Sequence, residues 1–195
     1  MNSILKKSAV FAIILIICTG MVGCGKRPEN KDDVAAKAPE KEETEIISLE
    51  TLKTIPQFKS TDVYGKEVSS EIFKDSKLTL INLWGTWCSP CVAELPDLGK
   101  LYEEVKDKGV NVVGVVEDGM KNEEAVKEIL NKTNVTFTNI VPDEKFYDDF
   151  MSLCGSFPTS LLVGSNGDVV GEIISGARTK EEYMKLIDEA LEKLK

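Results

Sequence analysis

Residues 78–91 read LTLINLWGTWCSPC, and this stretch decides the fold. Leu78 to Trp84 is a short apolar run rich in strand formers, too short for a helix, so it reads as a buried β-strand. A turn follows at once. From Pro90 the apolar period changes to three and four, with Val92, Leu95, Leu98, Leu101, Tyr102 and Val105 on one helical face, Gly109 closing the helix and Pro96 expected to kink it. Cys88 and Cys91 therefore stand where a buried strand hands over to a long helix.

That position gives the two cysteines their chemistry. The unpaired amides and the dipole at a helix amino terminus stabilise a thiolate and lower the pKa of a cysteine placed there. The two-residue spacing brings both sulfurs within bonding reach over one helical turn. Cys88, on the exposed side of the turn, is the expected nucleophile, and Cys91, one turn deeper, the expected resolving thiol that breaks a mixed disulfide. A purely structural bridge closing so short a loop would constrain few unfolded conformations and stabilise little. Half of a zinc site would need two further Cys or His ligands, and with histidine absent and only Cys154 free in this part of the chain these are not supplied.

Composition narrows the field further. The chain has 195 residues, 42% of them apolar, which suits one domain with appendages. A net charge of −9 argues against a protein that binds nucleic acid by neutralising phosphates. With no histidine, Ser-His and Cys-His nucleophile pairs and imidazole acid-base steps are excluded.

Working outward, 58–68 reads as a small hairpin turning at Tyr64-Gly65, 110–117 as a second buried strand, 122–130 as a helix, 135–140 as a third extended segment and 143–151 as a short helix. Segments 159–163 and 169–175 flank Ser165-Asn166-Gly167-Asp168 and are expected to be antiparallel neighbours. Residues 179–194 form an amphipathic last helix in which Thr179 and Glu182 make a capping box. The order predicts an α/β fold with a central mixed sheet covered on both faces.

The amino terminus reads as an address. Two lysines precede the apolar run 9–17 and a small-residue stretch, and the 15 residues 9–23 fall short of the ~20 needed to span a bilayer, so 1–23 is expected to be a cleaved signal. Cys18 should leave with it. In 26–45, twelve of twenty residues are charged and two prolines interrupt, too little apolar surface to offset ordering entropy. Residues 24–53 are thus expected to be a flexible charged tether and 54–195 the folded domain.

The run LINLWGTWCSPCVAELP at 80–96 resembles the thioredoxin superfamily, and specifically its extracytoplasmic TlpA/ResA-like branch with the pattern W-C-x-P-C-x-x-E-x-P. The likeness extends over 55–195, with 122–151 matching the branch's central insertion. It implies a thioredoxin-like fold with an N-terminal β-hairpin. It also implies that Phe157-Pro158-Thr159 is the family's cis-proline loop, with Trp87, Pro90, Phe157 and Pro158 in contact with an extended client peptide; without the likeness Pro158 would read as an ordinary trans proline. Asn82 replaces the buried aspartate of ordinary thioredoxins and cannot titrate. Glu94 matches the branch's acidic residue and, if buried, could accept the Cys91 proton; its other reading is a surface acid favoured by the helix dipole. Trp84 and Trp87 are read as shielding and client-contact groups, Cys154 as a buried inert thiol.

Met21-Val22-Gly23-Cys24 resembles the bacterial lipoprotein signal, which implies diacylation of Cys24 and a lipid anchor. Together the likenesses imply a membrane-anchored thiol-disulfide oxidoreductase outside the cytoplasm, a monomer without cofactor or metal. It would reduce protein disulfides with electrons from a CcdA/DsbD-type membrane carrier, with apocytochrome c or an exported methionine sulfoxide reductase as clients. The alternatives are a peroxiredoxin-like thiol peroxidase and a copper-binding lipoprotein of the Sco kind, the latter disfavoured because it would use Cys-x-x-x-Cys and a distant histidine.

Overall fold

A computed structural model describes residues 48–195. The expected signal and most of the expected tether, Cys24 included, lie outside the described residues. Seven strands form one sheet: β1 (Lys59–Asp62), β2 (Glu67–Ser69), β3 (Leu78–Trp84), β4 (Val110–Val116), β5 (Asn139–Val141), β6 (Thr159–Gly164) and β7 (Ile174–Ser175), in the order β2-β1-β5-β4-β3-β6-β7. β3 pairs parallel with β4, and β4 with β5. The β1–β2, β1–β5, β3–β6 and β6–β7 pairs are antiparallel. The sheet is mixed, as the sequence order predicts.

Among the described residues four α-helices accompany it: α1 (Ser89–Val105), α2 (Glu123–Lys132), α3 (Glu144–Asp149) and α4 (Lys180–Lys193). Both parallel connections, through α1 and α2, step across the sheet in the same direction. The right-handed crossover rule then puts both helices on one face, and α4 joins them there. Leu80, Trp84, Val112, Val116 and Leu162 meet Cys91, Leu95, Leu98, Val126, Tyr183 and Ile187 in that layer. The alternate residues Ile81, Leu83, Val113, Val115, Leu161 and Val163 point the other way, into a second layer with Ile55, Phe58, Phe73, Phe146 and Phe150. β3 is buried along its whole length because it lies between these two layers.

The structure departs from the sequence reading at three places. The fold starts before residue 54: Leu49 lies in a short 3-10 turn, 2% exposed in the second layer, and the Lys53 carbonyl accepts from Val169 N–H. A lone leucine in a polar stretch gives no periodic signal, which is why 48–53 reads as tether. The predicted return strand 169–175 is also broken. Three steps along β6, from Val163 to Ser160, are matched by five along the returning chain, from Val169 to Ile174. The slack bulges at Gly171, whose φ of +86° a glycine adopts without strain. Finally, the third extended segment shrinks to the three residues of β5. α1, by contrast, runs unbroken through Pro96.

Candidate active site

Cys88 is the residue that caps α1, and Pro90 sits in the first turn, where its missing N–H costs no helical bond. Cys88 and Cys91 are joined as a disulfide with Cα atoms 5.3 Å apart. The Cys91 amide donates to Cys88 Sγ at 3.3 Å, the kind of helix-terminal contact that would favour a Cys88 thiolate after reduction. Cys88 is the more accessible of the two, but only at 4% against 0% for Cys91. Its sulfur is therefore less open than the sequence suggests, since it is packed into the α1 layer.

The loop before Cys88 is tied down from β4. Asp118 accepts from the Thr86 amide at 3.0 Å and from the Thr86 hydroxyl, and Asn122 Nδ2 donates to it at 2.8 Å. Partial burial works against the Asp118 carboxylate, but these bonds outweigh it and hold the carboxyl below its ordinary range.

Glu94 lies three residues beyond Cys91, on the same helical face, and is 4% exposed. Its Oε1 accepts from Asn82 Nδ2 at 2.8 Å; its Oε2 accepts from the Arg178 amide at 3.0 Å and from the Tyr183 hydroxyl at 3.1 Å. Ser160 Oγ closes the ring, 3.0 Å from Asn82 Nδ2 and 3.0 Å from the Tyr183 oxygen. Burial raises the Glu94 pKa and prevails over the three donors that pull it down. Burial likewise pushes the Tyr183 phenol far up, aided by the Glu94 charge, so the hydroxyl stays a donor. Asn82 Oδ1 is buried without a hydrogen-bond partner.

The Phe157-Pro158 bond is cis, as the family likeness implies, and Pro158 presents a carbonyl that accepts from Gly176 N–H at 2.8 Å. Phe157 brings this loop to the cysteines by meeting Trp87 edge-on, with ring centroids 5.4 Å apart. Trp87 is 60% exposed. Of the two tryptophans read as shielding and client-contact groups, Trp84 can serve only the first role: it is fully buried, with Nε1 donating to Asn139 Oδ1 at 2.9 Å. Cys154 is half-buried rather than buried, its thiol facing the Ser156 carbonyl at 3.0 Å and raised in pKa chiefly by burial. Tyr183, Ser160, the Arg178 amide and Glu117 escape the sequence reading. The one available signal is Tyr183, a hydroxyl among Ile187 and Ala190 on the buried face of α4, where it requires a partner.

A vicinal cysteine pair at the amino end of the helix after a central strand, reached by a cis-proline loop, defines a thioredoxin-fold dithiol-disulfide protein. The comparisons make this specific. Residues 51–171 match the AhpC/TSA family. The thiol-disulfide oxidoreductase ResA of Bacillus thuringiensis (strain Al Hakam) is 36% identical over 139 residues, covering 69% of this chain and 77% of that protein. ResA of Geobacillus kaustophilus is 31% identical over 145 residues, covering 74% and 80%. Among solved structures, the thioredoxin domain of a thiol-disulfide oxidoreductase from Bacteroides vulgatus aligns with a TM-score of 0.60 at 26% identity, covering 73% of this chain and 98% of that one. A thiol:disulfide interchange protein from Chlorobium tepidum aligns at 0.63 with 24% identity, covering 72% and 97%, and bears on the fold alone. The chain belongs to the AhpC/TSA family and is a ResA-like thiol-disulfide oxidoreductase. Enzymes of this kind generally need no cofactor beyond their redox-active cysteines, and their partners are protein thiols and disulfides.

Proposed function

We propose that the protein is a lipid-anchored reductase of protein disulfides on the extracytoplasmic face of the membrane. The observation that carries the chemistry is the Cys88–Cys91 pair capping α1 above the buried Glu94. In the reduced enzyme the Cys88 thiolate attacks a client disulfide; a Cys88–client S–S bond forms and one client thiolate leaves. Cys91 then gives its proton to Glu94 and attacks Cys88 Sγ, releasing the second client thiolate and forming the Cys88–Cys91 disulfide. Two electrons have passed to the client, which collects two protons. Glu94 suits the acceptor role because its raised pKa lies nearer to that of a thiol than an ordinary carboxylate's does. Trp87, Pro90, Phe157 and Pro158 form the client contact.

Reduction rather than oxidation is favoured by Ser89-Pro90 between the cysteines, since no imidazolium is there to stabilise the reduced thiolate further. The address rests on the sequence 1–24, and the lipid would sit on Cys24. A CcdA/DsbD-type carrier would return electrons to the oxidised pair, with apocytochrome c or an exported methionine sulfoxide reductase as client and the protein acting as a monomer. The test is the full chain with Cys91→Ser, which should accumulate mixed disulfides between Cys88 and exported proteins in the membrane fraction and consume no peroxide. Adding Cys24→Ala should move those adducts out of the membrane. Peroxide turnover by Cys91→Ser, or an absence of adducts, would refute the proposal.

A further inference from the structure

Trp87 is held more firmly than an exposed side chain requires. Its Nε1–H donates to Glu117 Oε2 at 3.0 Å, and its ring stands edge-on to Phe157 at 72°. The indole also folds back over Gly85, where an added Cβ would come within 2.8 Å of Nε1. Glu117, the residue just after β4, uses its other oxygen to accept from the Tyr147 hydroxyl of α3 at 2.9 Å. The bond to Glu117 pushes the Tyr147 phenol up in pKa, so it remains a donor. The indole of Trp87, in the loop after β3 and next to Cys88, thus meets the end of β4 through Glu117 and the cis-proline loop through Phe157, while α3 reaches it only by way of Glu117.

We propose that Glu117, braced by Tyr147, is a positioning residue that fixes Trp87 as a preformed wall beside Cys88 and so favours protein disulfides over small ones. An unheld exposed tryptophan samples several rotamers and must be immobilised each time a client binds, which weakens binding by about two- to tenfold for one side chain. A small disulfide needs only the sulfurs and gains nothing from the wall. The inference rests on the reading of Trp87 as a client contact.

The test uses the reduced full chain and its Glu117→Ala, Tyr147→Phe and Trp87→Ala variants. The substrates are an extended peptide with an intramolecular disulfide and, as the small one, hydroxyethyl disulfide. Glu117→Ala should raise KM for the peptide about three- to tenfold with kcat unchanged, and leave the rate with hydroxyethyl disulfide unchanged. Tyr147→Phe should shift KM in the same direction by less. The two tryptophans give two indole N–H signals in a ¹⁵N-labelled sample; solvent exchange of the Trp87 proton should quicken in Glu117→Ala while the buried Trp84 signal stays put. If Trp87→Ala raises KM and Glu117→Ala does not, Trp87 is a client contact but Glu117 does not position it. If neither raises KM, the client-contact reading fails and takes the clamp with it. An equal loss with both substrates, or a displaced Trp84 signal, would make Glu117 merely structural and overturn the proposal.

Discussion

Glu94 accepts three hydrogen bonds and still holds its proton more tightly than an exposed glutamate, because burial outweighs the donors. The sign of the consequence follows from linkage. A carboxyl whose folded-state pKa is raised binds more protons in the native than in the unfolded chain across the interval between the two values. The Glu94 contribution to native stability is therefore greatest below the ordinary carboxylate range and is lost as pH rises through the raised value. Glu94→Gln should remove that slope, so guanidinium unfolding of the oxidised protein between about pH 4 and pH 8 should show wild type losing stability relative to the variant as pH rises. Parallel curves would mean that Glu94 is not perturbed by its site. The cysteines, Glu94 and Pro158 were legible because they lie in short local motifs. Their partners were not: Tyr183 stands 89 residues from Glu94, and Ser160 78 residues from Asn82, and contacts of that separation leave no local trace.

α4 connects the carboxyl end of the chain to the site, since Tyr183 and the amide of Arg178, just before the cap, both donate to Glu94. The helix starts with the capping box read from sequence: Thr179 Oγ1 accepts from Glu182 N–H at 3.3 Å, and Glu182 Oε2 accepts from Thr179 N–H at 2.8 Å. Thr179→Ala should lower stability by about 1 kcal/mol, seen as a lower denaturation midpoint at unchanged slope. A changed slope would point instead to loosening of the native state around Glu94. The same element scale shows what patterning can deliver. β3 follows from a short apolar run of strand formers, and α1 and α4 from apolar residues recurring at three and four. β5, with three residues, and the broken return from Val169 to Ile174 have too few alternations to be resolved, and the bulge at Gly171 follows from how the returning chain registers against β6.

At the scale of the whole molecule, the sheet presents its helices α1, α2 and α4 to one side and the aromatic layer of Phe58, Phe73, Phe146 and Phe150 to the other. This packing buries β3 on both faces just ahead of the loop that carries Cys88 to the start of α1. It also draws residues 48–53 into the domain through Leu49, so a soluble version should begin before Ser48 rather than at residue 54. On this reading the Cys88–Cys91 bond is a working redox couple and not a brace. The most direct test is its equilibrium reduction potential in a thiol redox buffer, with the cysteines counted by alkylation and peptide mass. Reversible exchange at a potential near that of thioredoxin, about −270 mV, is the predicted result; a value of about −120 mV would make the protein a disulfide donor, and no reversible exchange at all would make the bridge structural.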